Sequence, residues 1–277
     1  MSRAEKLKIS LLLIVWLATF SPLYRELVHD WLDHSDNSHA ILVPFIALFF
    51  VWQKKGELQS VRTDISVWGG VLLAISLLVY VASYAGGLAF PARIAMVFSL
   101  VGLVWFCFGN AIIRILAFPI GFLLFMVPVP YSLISLVAMP LQLMATKVSA
   151  ALIQNCSIPV YREGNMLYFV QTQLEVAEAC SGIRSIMALT MLSLVFCYLS
   201  RDGWWRKALL IAAAVPIALL GNIVRVTGTG ILAHFYGDQV AKGFLHEFSG
   251  LVVFAFGLVL LFAVFTVANK KKANDVH

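Results

Sequence analysis

The sequence predicts an all-α polytopic membrane protein with about eight transmembrane helices, and three observations carry that expectation. Of 277 residues, 61% are hydrophobic and only 12% charged, with a mean hydropathy of +0.90; a water-soluble domain carries about 25% charged residues. The apolar residues fall into runs approaching the roughly 20 residues that one crossing needs. Lys and Arg collect in alternate loops, as the positive-inside bias of membrane proteins requires.

The runs lie near residues 9–28, 39–53, 67–84, 91–109, 112–128, 182–199, 207–225 and 248–268. Only Gly109, Asn110 and Ala111 separate the fourth from the fifth, so a count of seven stays open. The first run lacks a small-residue cleavage site and is followed by further crossings, which makes it a retained anchor and not a secretory signal. With the N-terminus in the cytoplasm, most basic residues fall inside, among them Arg3, Lys54, Lys55, Arg62, Arg114, Arg206 and the Lys270 to Lys272 cluster. Only Lys147, Arg162 and Lys242 fall outside, so both termini are expected to be cytoplasmic. The net charge of +6 is spent on these topology signals. No basic stripe interleaved with aromatics exists, and nucleic acid is not an expected partner. With no repeat or low-complexity tract, residues 1–277 make a single integral membrane domain.

The longest stretch outside the membrane runs from about Pro128 to Ser181. Between Leu133 and Gln154 apolar residues recur at helical spacing with Gln142, Lys147 and Ser149 among them, which predicts an extracytoplasmic amphipathic helix on the membrane surface or packed over the bundle. Val160 to Ala177 carries the turn signal Glu163-Gly164-Asn165 and an alternating Leu174-Glu175-Val176, which predicts a short β-hairpin.

Four cysteines are present and no CxxC pair or zinc-like spacing occurs. Cys107 and Cys197 lie inside predicted spans, where cysteine is ordinarily an apolar filler. Cys180 differs: it stands at the outer mouth of a span, just ahead of Gly182 and Arg184, where a helix N-terminus and a cation both favour thiolate. The alternative is a disulfide with Cys156, which an oxidising compartment permits. Arg225 closes the apolar run Ile211 to Val224, and a guanidinium at that depth either faces a polar cavity or snorkels to headgroups. Asn222, one turn earlier, shares its helix face. His246 stands at the outer start of the last span with His234 as a rival, and either is by itself as consistent with a structural role as with proton transfer. Taken together, Cys180, Arg225 and His246 come from three segments that all meet the outer surface, which is what a thiolate, an electrostatic stabiliser and a proton carrier need.

These residues resemble the exosortase and archaeosortase family of membrane transpeptidases. EACSGIRS at Glu178 to Ser185, GNIVRV at Gly221 to Val226 and HEFSG at His246 to Gly250 are similar to that family's nucleophile, arginine and bacterial histidine motifs, in the expected order. The segment Asn37 to Pro44, with Trp52, is similar to its N-terminal segment, although Ala40 stands where glycine is more usual. The similarity runs from about Asp36 to Phe265. It implies a catalytic Cys180, Arg225 and His246, supported by Glu178, Ser181, Arg184, Asn222 and His39, with no cofactor or metal. It also implies a place in the bacterial inner membrane with the active site facing the periplasm. The substrates implied are exported, membrane-anchored proteins ending in a Pro-Glu-Pro motif, a transmembrane helix and a basic tail, handed to an acceptor the sequence does not identify. Some exosortases carry a soluble domain after the last span; this sequence stops at His277 without one. Two rival readings remain: a transporter or scaffold of exopolysaccharide export, against which stands the absence of paired broken helices, and a membrane cysteine protease that hydrolyses without transfer.

Overall fold

Proline and glycine decide where these helices begin, bend and reverse. The computed structural model describes residues 3–176, 182–200, 203–237 and 244–274, which fall into two units, Met1–Pro130 and Tyr131–His277.

In the first unit, α1 (Arg3–Thr19) and α2 (Ser21–Asp33) are bent by 61°. Pro22 sits in the first turn of α2, where its missing N–H costs nothing while its ring prevents the preceding helix from continuing through it. The single run expected over 9–28 is therefore two pieces. The second is amphipathic: it buries Leu23 and Leu27 and sends Asp30 to the buried Arg93 at 2.6 Å. A 3-10 segment, Ser35–Leu42, leads into α3 (Val43–Gln53), again with proline in its first turn. After the short α4 (Lys55–Ser60) come α5 (Val67–Ala85) and α6 (Ala89–Phe122), antiparallel neighbours that touch backbone to backbone where Gly69 meets Phe106 and Gly102 meets Leu73.

Within α6, Gly109 has φ 80° and ψ −172°, a left-handed conformation that any side chain would strain. The chain reverses there. Arg93 binds Asp30 at 2.6 Å, and Trp31 donates to the carbonyl of Met126 at 2.9 Å. Residues 93 and 126 thus both meet neighbouring positions of α2, whereas a straight helix would hold them about 50 Å apart. The bend falls within residues 109–111, the stretch that separates the fourth and fifth expected spans.

In the second unit, α7 (Tyr131–Asn155) leads to a three-stranded antiparallel sheet, β1 (Tyr161–Glu163), β2 (Met166–Tyr168) and β3 (Gln173–Glu175), in the order β1-β2-β3. The hairpin expected over this stretch is its first half, turning at Gly164 with φ 58°. A second reversal, closed by Phe169 N–H to Thr172 O at 2.8 Å, adds the third strand. Among the described residues, three helices complete the unit: α8 (Gly182–Leu199), α9 (Trp204–Tyr236) and α10 (Phe244–Asn274). α9 continues past Arg225 to Tyr236, well beyond the apolar run that suggested its end.

Of the two placements expected for the amphipathic α7, on the membrane surface or packed over the bundle, the structure shows it packed against α9. Its polar residues do form one stripe, Gln142, Thr146 and Ser149, but that stripe is buried at 7%, 0% and 0% exposure. The exposed face is apolar, with Leu136 72% and Val137 64% accessible. α7 lies alongside α9 in the same sense, with Ala138 level with Ala218 and Ile153 against Gly230. This is the inside-out pattern of a helix whose outer solvent is hydrocarbon, where polar side chains pair within the bundle and apolar ones meet lipid. Lys147, exposed on the far face, has a stem long enough to reach an interface.

Among the described residues, four helices suffice by length and composition to cross a membrane, at Val67–Ala85, Ala89–Met126, Tyr131–Asn155 and Trp204–Tyr236, and a fifth if the bent α1 and α2 count as one span. Shorter apolar helices cover Asn37–Gln53, Arg184–Leu199 and Val252–Thr266, within or close to the expected second, sixth and eighth spans. The chain is thus a largely helical multi-pass membrane protein.

Candidate functional site

The second unit gathers its motif-bearing segments at one end. α8 and α9 are antiparallel, with the Cys197 thiol 3.3 Å from the carbonyl of Lys207 at one end and Ile186 beside Ala218 and Asn222 towards the other. α10 descends beside them: Val253 meets Gly221, and Gly257 meets Leu189 and Ile217. The first turns of α8 and α10, the Asn222–Arg225 turn of α9 and the end of α7 therefore share one end of the unit.

The sheet is seated on that end by a small apolar core. Leu167 and Val176, both fully buried, and Leu174 pack with Ala150 and Ile153 of α7 and with Val226 of α9, the residue after Arg225. Val176 is fixed further by its N–H to the carbonyl of Asn165 at 3.0 Å. Val176 lies four residues before Cys180 in sequence, and Gly182, two residues after it, opens α8. Cys180, Glu178 and Ser181 themselves lie outside the described residues.

Arg225 is half-buried, with its Nε shielded from solvent. A Cβ built on Gly250 would stand 3.9 Å from its Cζ, Nη1 and Nη2 alike, so the guanidinium lies flat over that glycine. Gly250 closes the HEFSG string, and His246 is one helical turn ahead of it in the first turn of α10. The structure thereby brings the arginine and histidine motifs together through Gly250, a contact that spacing along the chain did not indicate. α10 approaches this closely because Gly221 has no side chain: a Cβ there would fall 2.8 Å from Val253 Cγ1.

The remaining expected residues divide. Asn222 is buried at 6% exposure, one turn below Arg225. Arg184 is exposed on the first turn of α8. His39 lies half-buried in the first unit. His234 sits two turns and more beyond Arg225 among aromatic rings, 6.4 Å from Phe169 and 5.0 Å from Phe235. Arg162 donates to the carbonyl of Gly164 at 2.9 Å and so braces the β1-β2 turn. Cys197 is a buried filler, as expected, and Cys107 is half-buried. Cys156 is free and exposed, and its partner in the disulfide alternative, Cys180, lies outside the described residues.

Sequence reading missed the part α7 plays. Ser149 donates to the carbonyl of Ile223 at 3.2 Å, inside the arginine motif, and Gln142 lines one crevice with Asn222. The signal was there, in polar residues at i, i+4 and i+7 of an otherwise lipid-compatible helix.

The model of the transmembrane exosortase family matches residues 31–263. No curated protein and no solved structure matches the chain.

Proposed function

Because the chain belongs to the transmembrane exosortase family, we propose that it is a membrane cysteine transpeptidase acting on exported proteins with a C-terminal Pro-Glu-Pro motif, membrane helix and basic tail. The observation that carries this reading is the guanidinium of Arg225 lying on Gly250 of the histidine motif, at the end of the unit where α8 begins directly after the cysteine motif. A structural arginine that snorkels to headgroups has no reason to lie flat against a neighbouring helix.

In the proposed reaction the Cys180 thiolate attacks the scissile carbonyl of the substrate, forming a carbon–sulfur bond and a tetrahedral oxyanion that Arg225 stabilises. As the carbon–nitrogen bond breaks, His246 gives its proton to the departing amine, which leaves with the substrate's membrane helix and basic tail. An incoming amine then loses a proton to His246, attacks the thioester and releases the sulfur as thiolate, so each group returns to its starting state. Water in place of the amine would give hydrolysis. Glu178, Ser181, Arg184, Asn222 and His39 are proposed as supporting residues.

The test is to trap the thioester. Coexpression with a tagged substrate is expected to yield a covalent adduct between protein and substrate that hydroxylamine dissolves. An adduct that survives hydroxylamine, or one formed equally by Cys180→Ala, excludes the acyl-enzyme. Mass spectrometry of the released substrate separates transfer, which leaves an added group on the new C-terminus, from hydrolysis, which leaves a free carboxylate.

A periplasmic site in the bacterial inner membrane, with both termini cytoplasmic, is proposed from the distribution of Lys and Arg. Cys156 is exposed and free, which makes it a natural reporter. In a chain whose other cysteines are alanine, a membrane-impermeant maleimide added to spheroplasts is expected to label Cys156. Gly56 is exposed, with open space around it, so Gly56→Cys in a chain also lacking Cys156 is expected to label only after lysis. The reverse pattern would place the site in the cytosol.

A further inference from the structure

Gln142 of α7 and Asn222 of α9 are both more than nine-tenths buried, at 7% and 6% exposure. Both line one crevice whose other walls, Leu141, Ile186 and Leu219 among them, are apolar. Among the described residues no hydrogen bond reaches either side-chain amide. Each amide carries two donors and an acceptor oxygen, and at membrane depth an unmet one is costly. The crevice is partly open, and its room for water amounts to about 10 Å³, close to the smallest space that takes one water molecule. It is far too small for a peptide or a lipid headgroup.

We propose that Gln142 and Asn222 hold one water molecule between them, and that Gln142 is through this water a positioning residue for the turn that carries Arg225. The functional half of this inference rests on the reading of Arg225 given above; the water bridge does not. α7 grips α9 at two successive residues of the arginine motif, at Asn222 through the water and at Ile223 through Ser149, whose hydroxyl donates to the carbonyl at 3.2 Å. The Ser149 bond holds the backbone of that turn, which Val226 and Gly221 also pack against the sheet and α10. The water is the attachment on the side-chain face that Asn222 shares with Arg225, and it keeps the Asn222 amide turned towards α7 and away from the guanidinium. Without it, the Asn222 amide turns towards whatever other partner it can reach, and the surroundings of Arg225, one turn away, change with it.

Two measurements on the full chain in lipid nanodiscs decide the matter. The first is a melting cycle of Gln142→Leu, Asn222→Leu and the double variant. Each single change strands one amide and is expected to lower the melting temperature, whereas the double change strands none and is expected to recover most of the loss. Additive losses overturn the bridge. The second is the pH midpoint for alkylation of Cys180 in a Cys156→Ala background, which a merely structural role would not move. Arg225→Gln is expected to raise the midpoint, because a nearby cation favours thiolate. Gln142→Leu is expected to raise it part of the way and to slow substrate processing by about tenfold to a hundredfold, the cost of displacing a stabilising group by about 1 Å. A wild-type profile for Gln142→Leu beside a shifted Arg225→Gln overturns the positioning role and leaves the proposed function standing. An unshifted Arg225→Gln overturns the electrostatic role of Arg225 and the positioning role together, and the melting cycle still judges the bridge.

Discussion

Cys180→Ala is expected to bring substrate processing below detection while the protein accumulates in the membrane at its normal level. Removal of a covalent nucleophile from a site of this type costs on the order of a millionfold in turnover. In the proposed reaction the remaining groups have nothing to offer the carbonyl carbon: Arg225 would stabilise an oxyanion only after something has attacked, and His246 would move a proton only once a bond is breaking. Cys180→Ser retains a hydroxyl of similar shape, but its proton is held far more tightly than that of a thiol, so a site that relies on a cation to keep sulfur ionised leaves the oxygen protonated. It is expected to fail almost as completely. Cys156→Ala provides the contrast, since its thiol is free and exposed and is given no part in the proposed reaction; full processing is expected. The measurement is the ratio of processed to unprocessed tagged substrate on a gel, with each variant quantified in the same membranes. Normal processing by both Cys180 variants would remove the nucleophile assignment and with it the transpeptidase reading.

The positions of most helices were legible from hydropathy because crossing a bilayer demands length and apolarity, both of which are properties of composition. The sequence leaves seven and eight spans both open at residues 109–111, and the bend falls there, at a glycine that tolerates the positive φ it needs. What stayed hidden was direction. A polar stripe on α7 has the same periodicity whether it faces water or the inside of a bundle. Periodicity alone therefore leaves a surface helix and a packed one equally open, and the burial of Gln142 and Ser149 decides for the packed one. The bend at Phe20 was hidden for a related reason: hydropathy runs smoothly across Ser21-Pro22, and only backbone geometry at the proline separates α1 from α2. At the candidate site, the residue types and order of Cys180, Arg225 and His246 were readable in the motifs. The contact of Arg225 with Gly250 was not, because it depends on how closely α9 and α10 approach, and that is set by Gly221, whose missing side chain admits Val253.

The same dependence on small residues predicts the largest loss of stability in the molecule. A Cβ on Gly69 would stand 2.2 Å from the backbone nitrogen of Phe106 and 2.6 Å from the carbonyl carbon of Trp105. Neither atom can move without moving α6. On the opposite side of the same crossing, a Cβ on Gly102 would meet the backbone nitrogen of Leu73 at 2.6 Å, so the two glycines form one backbone-to-backbone contact. In lipid no hydrophobic effect drives helices together, and close packing of this kind supplies much of the attraction. Gly69→Ala is therefore expected to force α5 and α6 apart. The strain should be at or above the upper end of the roughly 1–3 kcal/mol typical of overpacked cores, and several degrees in the melting temperature follow. Gly70, next in sequence, meets only the ring of Phe106, at 3.1 Å, which can give way by rotating. Gly70→Ala is expected to melt close to the wild type. Both variants add one methyl group to the same turn of α5, so composition and helix propensity cancel between them. Equal melting temperatures in nanodiscs would mean that the α5–α6 crossing is not held by this contact.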